Sequence, residues 1–192
     1  MELVLASRNA HKLRELRALL APHDLVPLPE GIDLPPEQGE SFADNALGKA
    51  RAGAHATARP TLGEDSGIVV AALGGGPGIR SARYAGEDAS DDQNLWKLLG
   101  ETDGASDRSA AYVCALALVA PGDGERLVEG RCEGRLARAP RGSGGFGYDP
   151  IFLPADVADG RTMAELSSDE KNSISHRGRA AAALLRSLED GE

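Results

Sequence analysis

The chain has few cysteines and no long apolar run, and each shortage argues against a class of protein. Two cysteines in 192 residues, Cys114 and Cys132, form neither a CxxC motif nor a disulfide framework. Both lie in strand-like runs, so we expect buried reduced thiols. No apolar run approaches the roughly 20 residues that span a bilayer, and the first residues lack the features of a signal peptide. We therefore expect a cytoplasmic protein with no membrane partner.

Basic residues are fewer than acidic ones, 21 against 30. The formal net charge is −9 and no Lys/Arg-rich block is present, which argues against a nucleic-acid partner because phosphate backbones need cations to displace their counterions. A small anionic substrate stays possible, since a few local cations can reverse the potential within one site. The length suits one large domain or two intimately packed lobes.

The hydrophobic pattern predicts an α/β fold with mixed strand directions. A first strand should cover residues 2–6 and a helix should follow from about residue 11. A second helix should begin after Ser41 and run to about Ala58, and a short helix should end near Leu99. Strands are expected at residues 109–119, 126–136 and 151–153, with a turn at 121–124 between the first two, and the last apolar helix should contain residues 181–188.

Two acids and a serine interrupt the apolar, strand-like run of residues 62–70. Carboxylates beside a buried strand are costly unless a cation meets them there. An acidic turn between two short strands would also explain Glu64-Asp65-Ser66-Gly67. Other segments of the chain favour a functional site.

A polar loop follows the first strand and leads into a helix: Ser7, Arg8, Asn9, Ala10, His11 and Lys12. The start of a helix offers unpaired N–H groups and a positive dipole end, which bind anions. The standard phosphate-loop pattern is absent from the chain. An ordinary first-turn loop is the alternative interpretation.

Residues 142–147 match G-x-G-x-x-G, but they lead into a strand and not into a helix, so the dinucleotide-binding interpretation is rejected. The remaining interpretation is a loop whose backbone approaches a ligand closely. Phe146 and Tyr148 would then offer flat surfaces. A glycine-rich surface turn is the alternative.

Cations and carboxylates elsewhere could act together on a polyphosphate. Lys12, Lys171 and Arg177 could neutralise it, while Asp65 and Glu37 could hold a divalent cation that bridges it to the protein. Mg²⁺ prefers such oxygen ligands, and no His/Cys cluster predicts a zinc site.

These segments closely resemble the inosine/xanthosine triphosphate pyrophosphatases over nearly the whole chain. The resemblance rests on separate blocks in the right order, at residues 5–12, 37–42, 45–50, 64–67, 77–84, 144–150 and 175–178. It implies an elongated mixed β-sheet flanked by helices, forming a single domain over residues 1–192 with two lobes and an active-site cleft between them. It also implies a homodimer and Mg²⁺-dependent release of pyrophosphate from ITP, dITP, XTP or dXTP.

The resemblance also implies a role for each matching residue. Asp65 matches the catalytic acid, which accepts a proton and binds metal, and Glu37 matches a metal-binding glutamate. The segment from Ser7 to Lys12 matches the triphosphate loop. Further substrate contacts are expected from Ser66, Phe146, Gly147, Tyr148, Asp149, Lys171, His176 and Arg177.

The sequence departs from the family pattern at three positions. Glu64 stands where many members have Asp, so a direct metal role for it is in doubt. Ser7 and His11 stand where many members have Thr and Gly.

Two other functions are considered. A Maf-type pyrophosphatase would act on other nucleotides, and a non-catalytic regulator would bind nucleotide without hydrolysing it. Retention of both Glu37 and Asp65 argues against the regulator.

Overall fold

The computed structural model describes residues 1–122 and 124–189. In that part of the chain the strands are β1 (Glu2–Leu5), β2 (Asp24–Pro27), β3 (Thr61–Val70), β4 (Ser109–Ala120), β5 (Gly124–Leu136) and β6 (Phe152–Pro154). The α-helices are α1 (Ala10–Leu19), α2 (Phe42–Thr57), α3 (Asp91–Glu101), α4 (Ser168–Ile174) and α5 (His176–Glu189). None of these helices is both long and apolar enough to cross a membrane.

The six strands form one sheet in the order β2-β1-β3-β4-β5-β6. β1 runs parallel to both β2 and β3, whereas β5 and β6 are antiparallel, so the expected mixed α/β sheet is confirmed. Leu5 at the end of β1 pairs with Leu62 of β3. The polar loop that follows β1 therefore begins beside the part of β3 that carries Glu64 and Asp65.

Contacts divide the chain into two compact units. The first contains Met1–Asp65, Cys114–Gly130 and the chain from His176 onward; the second contains Ser66–Val113 and Arg131–Ser175. Leucines from β1, α1, β3, β4 and α5 form the main core of the first unit, with a smaller cluster of alanines where α2 packs on β4. The core of the second unit is built around α3, β6 and the start of β4.

Side-chain caps explain where several helices begin. Asn9 accepts hydrogen bonds from the His11 and Lys12 amides at the start of α1, and Ser41 accepts one from the Asp44 amide at the start of α2. Ser90 forms a complete capping box with Gln93 before α3. Each cap satisfies backbone donors that the helix itself leaves unpaired.

The structure differs from the sequence prediction in a few elements. β3 is one continuous strand through Glu64 and Asp65, so the acids do not interrupt it. The short strand β2 and the short helix α4 were not predicted. The expected buried, reduced cysteines are confirmed, whereas the predicted turn at 121–124 includes Asp123, which lies outside the described residues.

Gly63 allows β3 to lie against the backbone of α2. An added Cβ at this position would lie 2.0 Å from the Ala46 carbonyl oxygen and 2.8 Å from the Ala50 amide nitrogen. The neighbouring residues of α2 and β4 are alanines, which permit the close approach. This contact fixes the distance between α2 and the two acids that follow Gly63.

Gly63→Ala should therefore destabilise the protein by about 1–3 kcal/mol, because the backbone of a packed helix cannot yield to an added methyl group. Gly48→Ala is the matched control within α2. Its Cβ would meet nothing within 4 Å, and the gain in helix propensity should stabilise the protein by about 0.5–1 kcal/mol. Urea denaturation of both variants measures the difference, and equal effects would contradict the argument.

Candidate active site

The neighbouring acids of β3 bind different cations because successive side chains of a strand point to opposite faces. Glu64 is fully buried. Its Oε2 lies 2.5 Å from Nζ of Lys12 on α1, and its Oε1 lies 3.0 Å from Nε of Arg177 on α5. One carboxylate thus joins two helices to the central sheet.

Arg177 also contacts α1 directly, with its Nη1 3.2 Å from Oε2 of Glu15. Burial alone would raise the pKa of Glu64. The charges of Lys12 and Arg177 outweigh that effect and hold the pKa well below its usual range. Glu64 is therefore ionised at neutral pH, and its charge is matched by two buried or half-buried cations.

Asp65 faces α2, where Asn45 and Lys49 lie one helical turn apart on the same side. Asn45 Nδ2 donates to Asp65 Oδ2 at 3.0 Å. Lys49 Nζ lies 3.3 Å from Asp65 Oδ1 and 2.6 Å from Glu37 Oε1. Two carboxylates therefore converge on a single ammonium group.

The pKa values within this cluster follow from burial and charge. Burial raises the pKa of Asp65, and the nearby Glu37 raises it further, while Lys49 and Asn45 oppose the shift. Burial alone would lower the pKa of Lys49, but Asp65 and Glu37 outweigh it and raise that pKa. Asp65 is thus a better proton acceptor than an ordinary exposed aspartate.

Asn45 also fixes the loop that carries Glu37. Its Oδ1 accepts a hydrogen bond from the Gly39 amide at 2.9 Å, while its amide group holds Asp65. A cavity of about 190 Å³ lies beside this contact and is lined by residues 35–39 and by the Lys49 face of α2.

The loop from Ser7 to Lys12 uses several of its own amides. Asn9 Oδ1 accepts from the His11 and Lys12 amides at 2.9 and 3.1 Å, and the Asn9 amide donates to Ser7 Oγ at 3.2 Å. The expectation of unpaired amides is therefore wrong for these three residues, because the asparagine side chain caps the helix. Ala10 is the first residue of α1.

Two further side chains of this loop have protein partners. Arg8 donates to the carbonyl oxygens of Leu28, Pro29 and Ile32, at 2.7–2.9 Å. It thereby holds the following loop against β1. His11 Nδ1 lies 2.8 Å from Nη2 of Arg14 on the exposed side of α1.

The second unit contains a separate cluster around Asp149. Asp149 Oδ2 lies 2.7 Å from Lys171 Nζ and accepts from the Phe146 amide at 3.0 Å. The same ammonium group lies 5.2 Å from the centre of the Phe146 ring. Asp149 and Lys171 are almost fully buried, so this ion pair holds the half-buried Phe146 in place.

The remaining residues of the glycine-rich loop make structural contacts. Tyr148 is buried, and its hydroxyl donates to the Ser81 carbonyl at 2.7 Å. The expectation that Tyr148 offers an accessible flat surface is therefore wrong. Burial, together with Tyr84 and Asp91, raises its pKa well above the ordinary range. The Gly147 amide donates to Asp91 at the start of α3.

The structure thus places the predicted residues in both units. Residues 7–12, Glu37, Asp65, His176 and Arg177 belong to the first unit, and Ser66, residues 146–149 and Lys171 belong to the second. His176 and Arg177 are the first residues of α5 and are both buried. Ser66 is half-buried.

Sequence reasoning did not assign roles to Asn45, Lys49 or Glu64. Asn45 and Lys49 are four residues apart in an alanine-rich helix, and a polar pair at that spacing on an otherwise small-residue face was the available signal. Glu64 lay within the recognised motif, but the sequence did not show which cations would reach it.

A protein-family comparison agrees with the predicted resemblance. The family model described as the Ham1 family matches residues 3–187. The chain belongs to the Ham1 family.

Proteins similar to this Ham1-family chain include dITP/XTP pyrophosphatases. That of Geobacillus kaustophilus is 48% identical, and the match covers 98% of this chain and 95% of the relative. That of Symbiobacterium thermophilum is 51% identical over 97% and 94% of the two chains. A HAM1 protein structure from Coxiella burnetii has a TM-score of 0.88 at 42% identity, and the match covers 99% of each chain.

Glu64→Gln should lower the free energy of unfolding by about 3–5 kcal/mol at neutral pH, because it leaves Lys12 and Arg177 without their shared carboxylate. Urea denaturation measures the loss. Glu125→Gln is the control, since Glu125 binds Arg51 through an exposed ion pair and solvent screens that pair. Comparable losses in the two variants would contradict the argument.

The stabilisation from Glu64 should also depend on pH. Because folding lowers the pKa of Glu64, its contribution is fully present above the ordinary glutamate pKa of about 4.3 and is lost as pH falls below it. The stability difference between wild type and Glu64→Gln should therefore narrow from pH 6 to pH 3. Denaturation in metal-free buffer measures it, and a constant difference would count against the ion pairs.

Proposed function

We propose that this chain hydrolyses non-canonical purine nucleoside triphosphates, namely ITP, dITP, XTP and dXTP, to the monophosphate and pyrophosphate. Relatives that are about half identical over nearly their whole length carry the name dITP/XTP pyrophosphatase. The observation that carries the mechanism is the buried Asp65 carboxylate, held by Asn45 and Lys49 and accompanied by Glu37. This arrangement presents a fixed proton acceptor among cations suited to phosphate.

The donor set fits a Mg²⁺ ion. Glu37 and Asp65 already direct one oxygen each toward the same cationic group of Lys49. The described residues contain no cluster of three or more His, Cys, Asp or Glu side chains, and Mg²⁺ commonly binds one or two carboxylates together with water and substrate phosphates. Glu37 and Asp65 would hold the ion, which neutralises phosphate charge when bound.

Asp65 is the proposed general base. Its raised pKa makes it a stronger proton acceptor, and Asn45 and Lys49 fix its two oxygens in different directions. We propose that one oxygen accepts a proton from the water that attacks the phosphate chain. Positioning of that water is the main requirement, since phosphoryl transfer depends largely on orientation and charge.

Lys12 and Lys49 are the proposed cations for the phosphate chain. In the structure each is paired with a carboxylate, Lys12 with Glu64 and Lys49 with Glu37 and Asp65. These pairs hold the ammonium groups close to the catalytic acid before substrate arrives. A triphosphate would then compete with these carboxylates for cations whose positions are already set.

Base recognition is assigned to His176 and Arg177, with Phe146 stacking on the purine. The two donors would bind a 6-keto oxygen, whereas adenine would place an amino donor against them in place of that acceptor. Lys171 and Asp149 support this proposal because they fix the position of Phe146.

The proposal includes a homodimer and a single two-lobed domain, both of which rest on the family resemblance, and a cytoplasmic location, which rests on the sequence. Sedimentation of the purified chain at micromolar concentration tests the dimer. A monomer over the whole concentration range would overturn that part of the proposal.

A nucleotide panel tests the function. Pyrophosphate release from ITP, dITP and XTP should exceed release from ATP by at least about 100-fold in kcat/KM, because adenine offers an amino donor where the 6-keto bases offer an acceptor. Release should fall to background when EDTA removes divalent cations. Preference for modified pyrimidine triphosphates would favour the Maf-type alternative, and nucleotide binding without pyrophosphate release would favour the regulator.

Asp65→Asn should retain nucleotide binding but lose at least about 100-fold in kcat, because the amide cannot accept the proton. Calorimetry and steady-state kinetics measure the two effects separately. Asp24→Asn makes the same chemical change at an exposed position of β2 and should keep the wild-type kcat. A near-normal kcat in Asp65→Asn would remove the general-base assignment.

A further inference from the structure

A second group of cations lies in the second unit, apart from the residues assigned to catalysis. A cavity of about 490 Å³ is lined by Arg108 before β4, Arg135 on β5 and Arg138 just after β5. Only one acid, Asp107, contributes to its lining. We call this cavity, with its three arginines, the arginine pocket. The pocket has a positive formal charge, whereas the whole chain has a net charge of −9.

Three backbone carbonyl oxygens hold Arg108 in place. Its Nε donates to the Leu136 carbonyl at 2.9 Å, and its Nη1 and Nη2 donate to the carbonyls of Thr102 and Ala137, each at 2.8 Å. The guanidinium group is therefore fixed at three points. Carbonyl oxygens satisfy its hydrogen bonds but leave its positive charge in place.

The three arginines also share the absence of an ion-pair partner among the described residues. Within residues 1–122 and 124–189, no carboxylate lies at ion-pair distance from Arg108, Arg135 or Arg138. The one lining acid, Asp107, is exposed, and its Oδ1 accepts from the Ser109 amide at 2.8 Å. One of its carboxylate oxygens is thus bound to the backbone and not to an arginine.

Two of the arginines are close enough to repel each other. Burial lowers the pKa of Arg108 and the positive charge of Arg138 lowers it further, while the negative charge of Asp103 opposes the shift. Like charges gathered around one cavity are unfavourable until an anion enters. Guanidinium groups match the geometry of phosphate oxygens better than any other side chain does.

We propose that the arginine pocket binds a phosphate-bearing anion. The volume lies within the range of small-molecule sites, about 300–1,000 Å³, and is larger than a single phosphate requires. Leu136 and Leu153 supply apolar wall beside the arginines. Both inorganic pyrophosphate and a nucleoside monophosphate carry the required chemistry, and the experiment distinguishes them.

The test uses Arg135→Ala/Arg138→Ala, which removes two exposed arginines and retains the Arg108 anchor. Pyrophosphate and inosine monophosphate are titrated separately into wild type and variant in EDTA, with calorimetry for affinity. At least one ligand should bind the variant at least 10-fold more weakly. The ligand with the larger loss is the one that the pocket takes. Amide NMR shifts should appear at residues 106–109 and 135–138.

Arg51→Ala/Arg59→Ala is the matched control, because it removes the same formal charge from exposed ion pairs of the first unit. It should bind both ligands as wild type does. The proposal is overturned if neither ligand binds, if the pocket variant binds as tightly as wild type, if the control loses as much affinity, or if shifts are confined to the first unit. Unchanged melting temperatures exclude unfolding as the cause of a loss.

Discussion

The buried carboxylate of Glu64 is the interaction on which the arrangement of the first unit depends. An ionised carboxylate with no solvent exposure is tolerated only when cations and hydrogen bonds replace its water. Lys12 and Arg177 do so from α1 and α5, and each approaches a different oxygen. The two helices are thereby fixed against β3 by charge as well as by their leucine core. The two cations thus offset the free-energy cost of burying the acid, and the acid in turn fixes their positions.

That arrangement also separates the roles of two adjacent acids. Strand geometry sends Glu64 to one face of β3 and Asp65 to the other. Glu64 is surrounded by full positive charges and keeps a low pKa, whereas Asp65 shares one lysine with Glu37 and has a raised pKa. The first acid joins two helices to the sheet, and the raised pKa of the second suits the proposed general base. Neighbouring carboxylates with opposite pKa shifts are a common pattern in hydrolytic sites.

Three groups of lysines and arginines in this acidic protein are held in different ways. In the cluster around Glu64 and Asp65, carboxylates hold them. In the Phe146 cluster, a buried Asp149 positions a lysine over an aromatic ring. In the arginine pocket, carbonyl oxygens anchor Arg108 without neutralising it. In the first two arrangements each cation is paired with a carboxylate, whereas in the third the arginines have no carboxylate at ion-pair distance among the described residues, which suits the binding of an anion.

Much of the secondary structure could be predicted because its signals are local. Alternation and apolar runs indicated β4 and β5, and Asn9, Ser41 and Ser90 stand where α1, α2 and α3 begin. The strand β2 was missed because its four residues carry little periodic signal, and α4 was missed because polar residues dominate it. The continuity of β3 was also missed, since its acids look like a break until their partners are known.

The sequence by itself determined the types of the main elements, the family resemblance and the short list of acids and cations from which a site could be built. Tertiary structure alone decided which acid meets which cation. Alternation along β3 predicts that Glu64 and Asp65 face opposite ways, but it does not say that α1 and α5 cover one face and α2 the other. Partners such as Glu64 and Arg177, 113 residues apart, are brought together only by the packing of the whole unit. Local sequence patterns do not predict that packing.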